Sequence, residues 1–215
     1  MCSSDLGATI RTGDGGIVDV VLGKQVDFPQ STKVPDRISY AADAPVRGLI
    51  ASKPSVVQNV VRLTPGTVLA IDKLTTIDTG ADTVSDTELN LQQGKIFASV
   101  KKLNATSQYL VKIPNGIAGV RGTEFSVSAD GATAVFESAN GGLVLSLTIN
   151  GVTTTYVVQA GQMLEPASGG TAPISPGLES ILSGVFTSLK TTYNVVVNFD
   201  YNNNNLYISS LAGHI

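Results

Sequence analysis

The chain of 215 residues has one cysteine, Cys2, one histidine, His214, and no tryptophan. A lone cysteine excludes an internal disulfide and any multi-cysteine metal site. The histidine stands at the extreme C-terminus, where chains fray, so a Ser-His-Asp or Cys-His constellation has no sound footing. Charge is also scarce, with 14 Lys and Arg against 17 Asp and Glu and a net charge of −3. That balance leaves no basic footprint for nucleic acid, and Lys101-Lys102 is too short to supply one. No run of about 18 apolar residues occurs, so no membrane span is expected. Residues 1–15 lack the apolar stretch an export signal needs.

Apolar material is plentiful instead. Hydrophobic residues make up 42% of the chain and charged ones 14%, which supplies a core and argues against disorder. Valine, threonine and isoleucine dominate the apolar segments while asparagine and glycine cluster between them, a pattern of strands joined by turns. Short strands are expected at 60–63, 68–74, 88–92, 95–101, 109–113, 124–129, 132–137, 143–149 and 153–159, a spacing typical of a sandwich or barrel. Asn150-Gly151 marks a two-residue hairpin between the last two. Residues 1–22 hold one or two strands. Residues 23–58, with Pro29, Pro35, Pro45 and Pro54, read as a long excursion in which proline argues against a central strand.

Beyond a loop at 166–174 the period changes. Leu178, Ile181, Leu182, Val185, Phe186 and Leu189 recur at helical spacing behind Ser175 and Pro176, which predicts an amphipathic helix. Strands at 193–199 and 206–208 follow around an asparagine run. The fold class expected is mainly β: an antiparallel, jelly-roll-like β-sandwich with one C-terminal amphipathic helix and a small strand pair. The division expected is 1–170, carrying the insertion 23–58, and 171–215.

Motifs that could carry chemistry fall away one by one. Asp200-Tyr-Asn-Asn-Asn-Asn205 begins like a calcium loop but has no glycine at its sixth position and Leu211 where a glutamate is needed, so it reads as a turn. Gly13-Asp-Gly-Gly16 joins two strands instead of opening a helix, which removes it as a phosphate cradle. Asp72, Asp78, Asp82, Asp86 and Glu88 form an acidic stretch read as a solvated loop. No catalytic residue, metal or cofactor is expected, and the protein is read as no enzyme.

The segment 113–127, Ile-Pro-Asn-Gly-Ile-Ala-Gly-Val-Arg-Gly-Thr-Glu-Phe-Ser-Val, sets an arginine and a glutamate among apolar residues and glycines. Phe125 and Val127 alternate with Glu124 and Ser126, and Val111 and Ile113 share the parity of Phe125, but Val120 does not. The strand must therefore slip phase, and Gly116, Gly119 and Gly122 supply permissive backbone for a turn, bulge or crossover. Phe125 is expected in the core, and Ser126 on the opposite face is expected to be nearly silent on removal. Arg121 and Glu124 are either a recognition pair or, the favoured reading, a mutually satisfied ion pair or an arginine bracing the crossover backbone.

Pro114, Gly116, Gly119, Val120, Arg121, Gly122, Thr123, Glu124 and Phe125 closely resemble the signature of the FecR-like domain family. The strand, glycine and strand of 89–100, the segment 157–162 and the hairpin of 7–22 are similar to that family's pattern, so the resemblance spans roughly 7–22 and 59–165. It implies a non-catalytic extracytoplasmic module, periplasmic or at the cell surface. The family's best-known members relay a signal from an iron-siderophore transporter to a sigma factor. A protein partner in the cell envelope is implied, with the signalling domain of a TonB-dependent transporter as the family's example, and with no nucleic acid and no membrane span. The helix and strands after residue 175 resemble the start of the small module of secretins and TonB-dependent transporters, and equally fit a helix capping the sandwich. The alternative function is a structural or carbohydrate-associated surface scaffold. For docking, an edge strand holding Tyr193, Val195, Val197 and Phe199 is preferred over the excursion with Phe28, Tyr40 and Arg47.

Overall fold

The computed structural model describes residues 7–22, 50–56, 59–79, 83–131, 133–166, 169–193, 195–200 and 205–210. In chain order the strands are β1 (Thr9–Arg11), β2 (Val18–Leu22), β3 (Ile50–Val56), β4 (Asn59–Leu63), β5 (Val68–Asp78), β6 (Thr83–Ser99), β7 (Gln108–Ile113) and β8 (Gly116–Val120). They continue as β9 (Glu124–Asp130), β10 (Thr133–Asn140), β11 (Leu143–Ile149), β12 (Val152–Val158), β13 (Gln162–Glu165) and β14 (Gly170–Pro173). The helix α1 (Pro176–Tyr193) precedes β15 (Val195–Asp200) and β16 (Asn205–Ser210). Contacts divide the chain into two compact units, Met1–Gly23 with Gln58–Ser188, and Lys24–Val57 with Leu189–Ile215.

In the first unit the expected strands at 88–92 and 95–101 are one strand, β6, that changes sheets halfway. Its first part pairs with β5 and β7, and its second part with β4 and β9. The corner is Gly94, at φ +93°, where a Cβ would stand 2.6 Å from the Thr67 Cα. Only glycine takes that conformation and that approach together. Threonines fasten the corner: the Thr67 hydroxyl donates to the Lys95 carbonyl at 3.1 Å, the Thr64 hydroxyl to the same oxygen at 2.9 Å, and the Thr12 hydroxyl to the Thr64 carbonyl at 2.6 Å.

Two sheet halves share β6. One runs β1-β5-β6-β7-β8-β11-β12 and the other β2-β4-β6-β9-β10-β13-β14. The inner face of the first presents Leu69, Leu89, Leu91, Val111, Ala118 and Leu145, all fully buried. The second answers with Val61, Leu63, Ile96, Phe125, Val127 and Phe136, so the core lies between them. The fold is mainly β with a single helix, as the alternation predicts. Among the described strands one pairing is parallel, β6 with β7 from Asp86↔Gln108 to Asn90↔Lys112. The corner explains it: β6 ends in the second half, so the chain returns to the first half and re-enters beside β6 in the same direction.

Several elements depart from expectation. β8 is a regular strand where irregular backbone was foreseen, because Gly116 and Gly119 give no apolar alternation to read. β14 lies inside the expected loop 166–174, as an outermost strand where Pro173 is tolerated. The hairpin at Asn150-Gly151 is present, with both residues at positive φ and Ile149 opposite Val152.

The helix begins where Ser175 and Pro176 predict, with the Glu179 amide donating to the Ser175 carbonyl at 2.9 Å. Its Phe186 meets Phe97 edge to face at 6.3 Å, so the outer surface of the second sheet half is covered there. Leu182 is fully buried, but Ile181 is 59% exposed and stands outside the expected apolar stripe. Ser126 is corrected by the same cover. It is buried on that outer surface, next to Phe97 in register, instead of facing water. The second unit holds a three-stranded antiparallel sheet in the order β16-β15-β3.

Candidate functional site: the crossover at 120–125

β7 is buried on alternate residues and turns at exposed Pro114 into β8, which pairs back along it from Ile113↔Gly116 to Leu110↔Gly119. Val120, 2% exposed, ends β8 in the first sheet half, and Phe125, fully buried, is the second residue of β9 in the second. The phase slip between them is a change of sheets. Gly122 makes it, at φ +81°, with its Cα side so near Lys102 that a Cβ would stand 2.7 Å from that residue's Cα. Gly116 permits a close approach to β11, where a Cβ would lie 2.4 Å from the Ser146 carbonyl oxygen, whereas at Gly119 the nearest atom would be 3.6 Å away.

Thr123 is 2% exposed and ties the crossover to both sides. Its hydroxyl donates to the Gly142 carbonyl at 3.0 Å and its own carbonyl accepts from the Val100 amide at 3.0 Å. Arg121 is exposed, and its guanidinium donates to the Ala105 carbonyl at 2.7 Å and the Asn104 carbonyl at 3.4 Å. Planar donors thus brace the 104–107 turn, which the Asn104 side chain also holds by accepting from the Ser107 amide at 2.8 Å. Glu124 is half-buried at the start of β9, opposite Ser99. The side-chain hydrogen bonds of Arg121 and Thr123 thus go to backbone carbonyls, while Val120 and Phe125 pack in the core.

The preferred docking strand needs correction. β15, with Val195, Val197 and Phe199, is the middle strand of its sheet: Val197 is opposite Ile208 on one side and Lys53 on the other. Its backbone groups are already used, so it offers no edge to a partner. The third strand comes from 50–56, where Lys53 and Pro54 hide the strand signal, and it takes an outer position as proline requires. Tyr193 is the last residue of α1. Phe28, Tyr40 and Arg47 lie outside the described residues.

Of the acidic stretch, Asp72 and Asp78 belong to β5 and Asp86 and Glu88 to β6 and are no loop, while Asp82 lies outside the described residues. Lys112 Nζ lies 2.6 Å from Glu88 and 3.2 Å from Asp72, and Lys73 bonds Asp86. Hydrogen bonds donated to these carboxylates raise both lysines above their ordinary value of 10.5, Lys73 chiefly through Asp86 and Lys112 chiefly through Glu88. Among the described residues no group of His, Cys, Asp or Glu is placed to hold a metal ion.

Sequence reasoning missed a second polar cluster. Glu137, 6% exposed, accepts from Lys95 at 2.9 Å and from the Ser126 hydroxyl, while the Lys95 ammonium sits 5.1 Å from the Phe97 ring centre. Register brings these residues together from three strands, so no local spacing announces them. An open groove of about 380 Å³ beside Lys95 is lined by Thr64, Ser128, Asp130 and Thr133, and its ammonium is already engaged by Glu137.

Residues 55–143 match the family model described as FecR protein, so the FecR resemblance read from the signature holds over that segment, which contains the whole crossover. No curated protein matches the chain. Two crystal structures of a candidate anti-sigma factor from Parabacteroides distasonis are similar at 12% identity, with TM-scores of 0.47 and 0.45 over 95% and 94% of this chain. The chain spans 60% and 59% of their lengths. Among the described residues no helix is long and apolar enough to cross a membrane.

Proposed function

We propose that this chain is a non-catalytic, extracytoplasmic sensing and protein-interaction module in a signalling relay of the cell envelope. The relay is of the kind that joins iron-siderophore uptake to a sigma factor, and the partner is the signalling domain of a TonB-dependent transporter. One observation carries the reading. The FecR family match contains a crossover in which Gly122, Thr123 and Arg121 all serve to hold backbone, as a recognition scaffold needs and a catalytic centre does not.

Location and partner are tested separately. The chain in its natural gene context, fused ahead of an alkaline phosphatase that needs disulfides to fold, should give an active reporter, because such disulfides persist only outside the cytoplasm. An inactive but intact fusion would place the chain inside and end the proposal. Immobilised full-length chain should then retain a transporter signalling domain from envelope extract. Retention of polysaccharide alone would favour a surface scaffold.

A further inference from the structure

Edge strands normally carry a lysine, a proline or a bulge that discourages pairing with another strand. β12, the last strand of the first sheet half, has none of these. Among the described residues it pairs only with β11, and its ladder with β11 runs from Leu143↔Val158 to Ile149↔Val152 without a shift. Between Glu137 and Glu165 the chain has no Asp, Glu, Lys or Arg at all. Val144, Val152 and Val157 stand 54%, 66% and 51% exposed around this edge, and Thr153, Thr154 and Thr155 are exposed as well.

We propose that β12 pairs with β12 of a second copy of this chain, joining two first sheet halves edge to edge across a two-fold axis at Thr155. The hairpin fixes which groups are available. Ile149 and Val152 flank a two-residue turn and so exchange both of their hydrogen bonds, which turns the amides and carbonyls of Thr154 and Tyr156 inward and those of Thr153, Thr155 and Val157 outward. An antiparallel copy then sets Thr155 against Thr155 and Thr153 against Val157, with about six backbone hydrogen bonds.

Absence of charge selects the occupant. On a two-fold edge the residue on the axis meets its own twin, so a charge at position 155 would face the same charge; threonine stands there instead, with threonine and valine beside it, and cross-strand threonine pairs are favourable. A molecule of net charge −3 can bring two copies together most readily along its uncharged strip. A single strand edge is a small interface, below about 1,200 Å², so the association is weak and concentration-dependent.

Sedimentation equilibrium of the full chain from low micromolar to about 1 mM, the range of small interfaces, should show the mass rising from 22.2 kDa toward twice that value. Hydrogen exchange over the same range should slow at the amides of Thr153, Thr155 and Val157 and leave Thr154 and Tyr156 unchanged. Thr155→Pro removes an outward amide that no strand among the described residues pairs with, and should abolish association with an unaltered melting temperature. Thr155→Lys should weaken it at low salt, with partial recovery at high salt. A chain that stays at 22.2 kDa throughout, or variants that associate as well as the parent, would overturn the proposal. So would a monomer whose outward amides are protected only by a strand from an envelope protein.

Discussion

The outer surfaces of the two sheet halves come from the same alternation of residues and end in opposite environments. On the first, Lys73 and Lys112 are 43% and 37% exposed and lie over Asp72, Asp86 and Glu88 in a wet ionic lattice. On the second, the side chains of Asp19 and Glu137 are only 12% and 8% exposed, Asp19 takes both arms of Arg62 at 2.7 Å, and Phe186 of the helix seals Phe97. Polar residues on a strand therefore carry two meanings. In water they are replaceable, but beneath a helix they are desolvated groups whose partners cannot be lost cheaply.

Substitutions can break this contrast. The shared interior sets the scale: Phe125→Ala should cost about 3–5 kcal/mol, measured by chemical denaturation, and an unchanged midpoint would show that Phe125 does not anchor the core. On the covered surface, Glu137→Ala should cost about 2 kcal/mol, since it strands the Ser126 hydroxyl and a partly buried Lys95. Ser126→Ala should cost about 1 kcal/mol on the same grounds. If both prove neutral, the two surfaces do not differ. Arg121→Lys should lower the melting temperature slightly, because one ammonium cannot span the carbonyls of Asn104 and Ala105.

The smallest effect is expected on the open surface. Lys112→Met should leave the denaturation midpoint at neutral pH almost unmoved. Because the folded state raises this lysine above 10.5, its contribution is complete below that value and fades as pH climbs through the raised one. The variant should therefore lie slightly below the parent at pH 7 and draw level with it as pH climbs through the raised value, where the parent loses this contribution. An identical alkaline profile would remove Lys112 from the lattice.

The contrast also marks what the sequence could tell. Inner positions were legible because apolar parity survives folding: Phe125, Val127 and Val111 are where their alternation puts them. The hairpin at Asn150-Gly151 and the helix start at Pro176 were legible because both depend on local dihedral demands. Ser126 was not, since parity says which residues share a face and nothing about what later covers that face. Nor was the middle position of β15, which depends on a strand some 140 residues earlier in the chain. The candidate site divided in the same way. Its signature glycines were visible as letters, but the carbonyls that Arg121 holds lie in a turn whose proximity only the crossover creates.

β6 carries a kinetic consequence. One strand supplies a pairing edge to β4, β5, β7 and β9, so neither sheet half can be completed before residues 83–99 are placed. Folding must close long loops before those contacts reward it, which puts the rate in the millisecond-to-second range of non-local β proteins. The same sharing makes the first unit melt as one body, since withdrawal of β6 leaves both halves without a central strand. A break in the chain beside Gly94 would remove the template from both at once.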